Sequence, residues 1–177
     1  VTVSSPFWPD SELQEAKKFA CQAGLNFDVI DADSLKEEKI AANSPDRCYY
    51  CKKLIFGKIL KFASEQAIEY VADGSNADDN KDYRPGLKAL EELKIISPLQ
   101  LAGLTKSDIR ALSKKMGLPT WQKESAACLA SRIPYGEIIT RDKLSRVEKA
   151  EAYLHRFGFS HLRVRSHGDL ARLEVGQ

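Results

Sequence analysis

Apolar and polar positions follow two different rhythms along the chain. Val1-Thr2-Val3-Ser4-Ser5 has the period of two expected of a strand, and a Pro/Trp turn follows it. Over residues 11–23, Leu13, Ala16, Phe19, Ala20 and Ala23 recur at helical spacing, with Asp10 as the cap and Gly24 as the stop. Asn26 to Asp31 alternates as a strand, and Asp33-Ser34 opens a charged, weakly helical stretch that ends at Asn43-Ser44-Pro45. A third helix opens around Arg47-Cys48-Tyr49-Tyr50-Cys51 and carries Ile55, Ile59 and Phe62 on one side. Tyr70-Val71-Ala72-Asp73 and Ile95 to Leu99 read as short buried strands, and Thr105-Lys106-Ser107-Asp108 opens a capped helix to Met116, ended by Gly117. Strand and helix alternate up to residue 120, which predicts an α/β fold with a Rossmann-like parallel sheet.

Periodicity is lost over residues 119–139, a segment that holds Trp121, Cys128, Ser131, Arg132, Pro134, Tyr135 and Gly136. Long irregular segments in compact domains tend to be functional. From Thr140 a helical pattern runs to about Phe157, with Leu144, Val147, Ala150 and Leu154 on one face. The period then changes to two. Leu162 and Val164 share one face, His161, Arg163, Arg165 and His167 the other, Gly168-Asp169 makes a turn, and Leu170 to Val175 forms the return strand. The predicted organisation is a sheet domain over 1–125 and a smaller α+β domain over 126–177, with the boundary in the irregular segment. The chain starts and ends on strand patterns, and its one Met is Met116, so it reads as a segment truncated at both ends, with loss of an initiator Met as the competing explanation.

Charge and cysteine content narrow the chemistry. Across 177 residues, 27 Lys and Arg against 25 Asp and Glu leave a net charge of +2, too little for a general field that attracts nucleic acid, so any phosphate binding must be local. No apolar run approaches the roughly 20 residues of a membrane span, and no signal-like segment opens the chain. Four cysteines in a chain of this length do not suggest a disulfide-stapled secreted domain, and a reducing cytoplasm is the expectation.

Three groups of residues could carry chemistry. Cys48 and Cys51 lie three apart at a helix start and could join Cys128 on one metal centre or cluster; a buried thiol pair or a redox pair are the alternatives. Arg47, Lys52 and Lys53 nearby, with the helix start itself, favour thiolates. Cys21, beside Ala20 on the first helix, is expected in the core. The strand face of His161, Arg163, Arg165 and His167 could clamp a phosphate, or could simply be solvated. Asp73-Gly74-Ser75-Asn76-Ala77-Asp78-Asp79 lacks the oxygen donors and closing Glu of a calcium loop, which leaves a nucleotide or substrate loop or ordinary turn chemistry.

Taken together, Arg47-Cys-Tyr-Tyr-Cys-Lys-Lys, Asp73-Gly-Ser-Asn-Ala-Asp-Asp, Asp82-Tyr-Arg-Pro-Gly86, Ser97-Pro-Leu, Gly117-Leu-Pro-Thr-Trp121, Ala127-Cys-Leu-Ala-Ser-Arg-Ile-Pro-Tyr-Gly136 and His167-Gly-Asp-Leu-Ala-Arg-Leu-Glu174 resemble the ATP-dependent sulfur transferases that mature the nickel-pincer cofactor of lactate racemase, a family of the PP-loop ATP pyrophosphatase superfamily. The resemblance implies adenylation by ATP, with Mg2+, of a carboxylate of pyridinium-3,5-dicarboxylate mononucleotide, and displacement of AMP by sulfur to give a thiocarboxylate. It places the sulfur at Cys128 and implies that Cys48, Cys51 and Cys128 together hold a 4Fe-4S cluster, where single-cysteine members give up the thiol itself. It further implies that Arg163 and Arg165, with Ser131 or Arg132, hold the substrate phosphate, that Glu151 faces the site, and that Asn76, Asp79 and Arg84 serve the nucleotide side. The superfamily's Ser-Gly-Gly-x-Asp-Ser phosphate loop is not among these residues, and the expectation is that it precedes them. The family resemblance also implies a homo-oligomer, with a hexamer as one form, working between upstream and downstream cofactor-maturation enzymes on a small nucleotide-like substrate rather than on nucleic acid. The competing functions are a tRNA thiolation enzyme of the same superfamily and a non-catalytic iron–sulfur or metal-binding module.

Overall fold

The computed structural model describes residues 1–81, 85–123, 126–159 and 162–176. The first unit is strand, helix, strand. β1 (Thr2–Ser4) pairs in parallel with β2 (Val29–Asp31), Thr2 opposite Val29 and Ser4 opposite Asp31, and α1 (Asp10–Gln22) connects them. Gly24 takes φ +64°, and the amides of Gly24 and Leu25 turn back onto the carbonyls of Cys21 and Ala20, which stops α1 as expected. Its start differs from expectation. Pro9 holds the cap position and Asp10 is already helical; the Asp10 amide donates to Glu148 Oε1 at 3.0 Å, so a distant carboxylate replaces the local cap.

A 3₁₀ turn at Ser34–Lys36 and the short α2 (Glu38–Ala41) lead into α3 (Arg47–Glu65). The two strands expected at 70–73 and 95–99 shrink to one parallel bridge, Ala72 to Ile96. Pro98 is the physical reason at one end: it has no amide to donate and opens α5 (Pro98–Leu101) instead. α4 (Pro85–Glu92) lies between them in sequence, and α6 (Lys106–Lys115) follows with the expected capping box, Thr105 and Asp108 each receiving the other's amide. α7 (Arg141–His155) then precedes β3 (Leu162–His167) and β4 (Leu170–Val175), an antiparallel hairpin turned by Gly168 at φ +60°. The fold is thus mixed α/β, and among the described residues parallel pairing is confined to β1–β2 and the single bridge.

One apolar cluster positions the rest. Phe7 and Ile40 from the first part of the chain meet Leu129, Ala130, Ile133 and Ile139 of the irregular segment and Leu144 and Val147 of α7, all nearly fully buried. The segment without periodicity is therefore anchored by its own side chains. No helix among the described residues is long and apolar enough to cross a membrane.

Candidate functional site

Folding brings together three cysteines that are far apart in sequence. Cys48 and Cys51 lie in the first turns of α3, and Cys128 immediately precedes the 3₁₀ turn Leu129–Arg132. All three line one cavity of about 460 Å³, shared with Thr2–Ser5, Phe7, Trp8, the start of α1, Arg47, Lys52, Ile55 and Phe56. None is in a disulfide. Burial pushes the Cys51 thiol up to about 11, against a weaker opposing hydrogen bond with Ser34, and burial likewise raises Cys128 despite the field of Arg47. The helix start and nearby cations were expected to favour thiolates; at Cys51 and Cys128 desolvation outweighs them. A metal bound here must therefore displace protons, and its affinity falls as pH falls.

The donor set fits an iron–sulfur cluster in kind: three thiols facing one space and interacting electrostatically with one another. Among the described residues no group of three or more His, Cys, Asp and Glu is arranged to hold a metal ion. A cluster, larger than one ion, does not ask its thiolates to converge on a single point.

Two polar clamps hold the Cys128 segment in place. In the first, Asn43 is fully buried at φ +55°, and its Nδ2 donates to the carbonyls of Pro134 at 2.7 Å and of Ile133 and Glu137 at 3.2 Å. Arg47, 4% exposed, donates to Asn43 Oδ1 and to the Ala130 carbonyl at 3.1 Å, and its guanidinium lies over the Tyr135 ring. Arg47 thus fastens the loop to the helix that carries Cys48, toward whose Sγ it also points at 3.9 Å. Sequence reasoning missed Asn43. The one local signal was an Asn at a turn, a residue that tolerates the left-handed region.

In the second clamp Arg132 meets Glu151 of α7 through two hydrogen bonds, Nε to Oε1 at 2.9 Å and Nη2 to Oε2 at 3.2 Å. Arg132 Nη1 donates to the carbonyls of Ala127 and Cys128 and to Ser131 Oγ, and Glu151 Oε1 also accepts the Val164 amide at 2.9 Å. Loop, helix and hairpin meet at this buried pair. Ser131 Oγ donates to the Cys128 carbonyl at 2.8 Å. Arg165 is likewise occupied: its Nε donates to Glu174 Oε1 at 2.7 Å and its Nη1 to the Ser131 carbonyl at 3.2 Å. Arg165 and Arg172 hold the Glu174 carboxyl down to about 2.

Arg163 is exposed on the face opposite Leu162 and Val164, as the alternation required. It lines a second cavity, of about 570 Å³, with Arg132, Glu151, His155 and Glu174. The two cavities are neighbours. Pro9 and Glu12 line both, while Ala127 faces the arginine side and Cys128 the thiol side. The loop and the hairpin are in direct contact, but the thiol and Arg163 stand in adjoining spaces, not in one shared pocket.

On the other flank, Lys52 lines the thiol cavity and approaches Asp73 at 3.7 Å. Burial works to raise the Asp73 carboxyl, yet hydrogen bonds from Ser75 and Ser97, both at 2.6 Å, outweigh it and hold Asp73 below its usual range. Asn76 accepts the Asp78 amide on its Oδ1, and its own amide donates to Asp79 Oδ2, so both side chains shape the turn before the 3₁₀ segment Ala77–Lys81. Arg84 and His161 lie outside the described residues. Cys21 is exposed, not in the core: the buried position on that turn of α1 is Ala20.

No protein-family model matches the chain. Over 175 residues it is 39% identical to an uncharacterized protein of Synechocystis sp., covering 99% of this chain and 65% of that protein. It is 38% identical over 175 residues to the pyridinium-3,5-bisthiocarboxylic acid mononucleotide synthase of Lactiplantibacillus plantarum, covering 99% of this chain and 63% of the synthase. An uncharacterized protein of Methanocaldococcus jannaschii is 33% identical over the same share of the chain, which covers 67% of it. The chain spans a little under two thirds of the length of the first two relatives. More distant similarity, 30% over 63% of this chain, reaches the tRNA-specific 2-thiouridylase of Thermus thermophilus. The resemblance first read from the cysteine and loop motifs therefore holds along the whole chain, and the chain belongs to the family of the pyridinium-3,5-bisthiocarboxylic acid mononucleotide synthase, within the PP-loop superfamily.

Proposed function

We propose that the protein is an ATP-dependent sulfur transferase that converts a carboxylate of pyridinium-3,5-dicarboxylate mononucleotide into a thiocarboxylate for nickel-pincer cofactor synthesis. The observation that carries the reading is the convergence of Cys48, Cys51 and Cys128 on one cavity. A carboxylate resists nucleophiles until its oxygen becomes a good leaving group. Transfer of AMP from ATP, with Mg2+, forms the acyl–adenylate and releases pyrophosphate; sulfur then attacks the carbonyl carbon and AMP departs with the C–O bond's electron pair.

Within this reading the chain's own residues divide the work. Cys48, Cys51 and Cys128 would hold a 4Fe-4S cluster, which would supply the expendable sulfur. Arg163 anchors the substrate phosphate in the neighbouring cavity. Arg132 and Glu151 act through the loop they fix, while Ser131 and Arg165 brace it. Asn76, Asp79 and Arg84 belong to the nucleotide side, on a Rossmann-like PP-loop domain over 1–125, with 126–177 as the sulfur-transfer domain. The setting is cytoplasmic, in a homo-oligomer that receives its substrate from, and passes its product to, other cofactor-maturation enzymes.

The thiouridylase similarity favours a second reading, sulfur transfer to tRNA. One assay separates the two. Full-length protein that includes the expected phosphate loop, reconstituted with cluster and incubated with ATP, should release pyrophosphate in response to the dicarboxylate mononucleotide and not in response to tRNA. Sub-micromolar tRNA binding at physiological salt, with no response to the mononucleotide, would replace the first reading by the second, while no release with either substrate would favour a metal-binding module.

A further inference from the structure

The arginine cavity holds more charge than it needs for packing, and most of that charge is already paired. On its loop side Lys123 meets Glu12 of α1 at 2.8 Å and Arg132 is locked to Glu151. On the hairpin side Glu174 is held by Arg165 and Arg172. Glu148 of α7 accepts the Asp10 amide. Among the described lining residues this leaves two nitrogen-bearing groups without a carboxylate partner, Arg163 and His155.

His155 is the last residue of α7, and its ring is oriented by a specific bond. Nδ1 lies 2.6 Å from the Phe159 carbonyl, which can only accept, so Nδ1 carries the hydrogen. With that nitrogen fixed, Nε2 is the edge left for another partner.

We infer that His155 is a further substrate-binding residue, its Nε2 donating beside Arg163 to the phosphate monoester that the arginine cavity takes. The inference rests on the phosphate-anchoring reading of that cavity. Two donors on separate elements, one at a helix end and one on a strand, fix the orientation of a tetrahedral anion better than one guanidinium alone. Glu12, Glu148, Glu151 and Glu174 are the carboxylates facing the same space, and each is engaged as described; Lys123 and Arg132 are the paired cations.

Calorimetric titration of nicotinate mononucleotide, a pyridinium phosphate monoester, and of its nucleoside, each into variant and unmodified protein, tests this. His155→Gln should weaken mononucleotide binding about tenfold and leave nucleoside binding nearly unchanged, the size of a lost charge-assisted hydrogen bond. Arg163→Ala should weaken mononucleotide binding as well. No weakening by His155→Gln while Arg163→Ala still acts, or equal weakening of nucleoside and mononucleotide binding by His155→Gln, overturns the role of His155 alone. If Arg163→Ala has no effect and the nucleoside binds as well as the mononucleotide, the reading of the cavity falls and His155 with it.

Discussion

Cys128→Ala is expected to abolish thiocarboxylate formation while leaving pyrophosphate release from ATP in place. The substitution removes the sulfur and little else. Cys128 sits half-buried at the edge of the thiol cavity, and the packing of its segment comes from Leu129 and Ala130 next to it. Deleting one partly exposed sulfur costs about 1 kcal/mol of stability, far too little to unfold the protein. Adenylation belongs to the nucleotide side and needs no thiol, so the two half-reactions should separate: pyrophosphate accumulates and the thiocarboxylate does not. Mass spectrometry of the product beside a pyrophosphate assay reads both. Transfer at the unmodified rate would remove Cys128 from the mechanism; loss of both activities together would show that it serves adenylation as well.

Glu151→Ala should be the most destabilising single change in the C-terminal half, on the order of 3–5 kcal/mol, read as a fall in the urea midpoint. Among the described residues Glu151 is the one carboxylate on the buried Arg132, and its Oε1 also receives the Val164 amide. Truncation strands a cation and a strand amide in the interior together, the costly way to lose a buried pair. The double variant Arg132→Met, Glu151→Leu removes both charges and should recover part of the loss, because a buried pair replaced as a pair is far cheaper than one broken. Equal stability of Glu151→Ala and the unmodified protein would mean that the pair does not hold loop, helix and hairpin together.

The parts of this architecture that were legible in the sequence were those written in local periodicity. The helices over 10–22, 47–65, 106–115 and 141–155 and the hairpin at 162–175 follow from 3.6- and 2-residue patterns with Gly24, Gly117 and Gly168 as punctuation. The strands at 70–73 and 95–99 were overcalled, since short apolar runs carry the same pattern whether they pair over four residues or bridge at one. The gathering of Cys48, Cys51 and Cys128 was one of several readings open to the cysteines themselves, and only the motif resemblance singled it out; spacing could not bring two segments so far apart in sequence together. The clamps were beyond reach for the same reason. Asn43 meets partners at 133–137, and Glu148 replaces a local cap on Asp10, so neither bond has a local signature. Arg165 shows the opposite limit: alternation placed it correctly on its face, but only the fold shows that Glu174 and the Ser131 carbonyl already occupy it.

Anaerobic reconstitution with iron and sulfide tests the three-thiol cavity most directly, with absorbance and chemical iron and sulfide counts as readouts and the exposed Cys21 as internal control. A cubane-type absorption band with about four irons per chain is predicted, lost separately in Cys48→Ala, Cys51→Ala and Cys128→Ala and retained in Cys21→Ala. A band that survives any one of the three, or sulfur transfer at full rate by iron-free protein, would contradict the account.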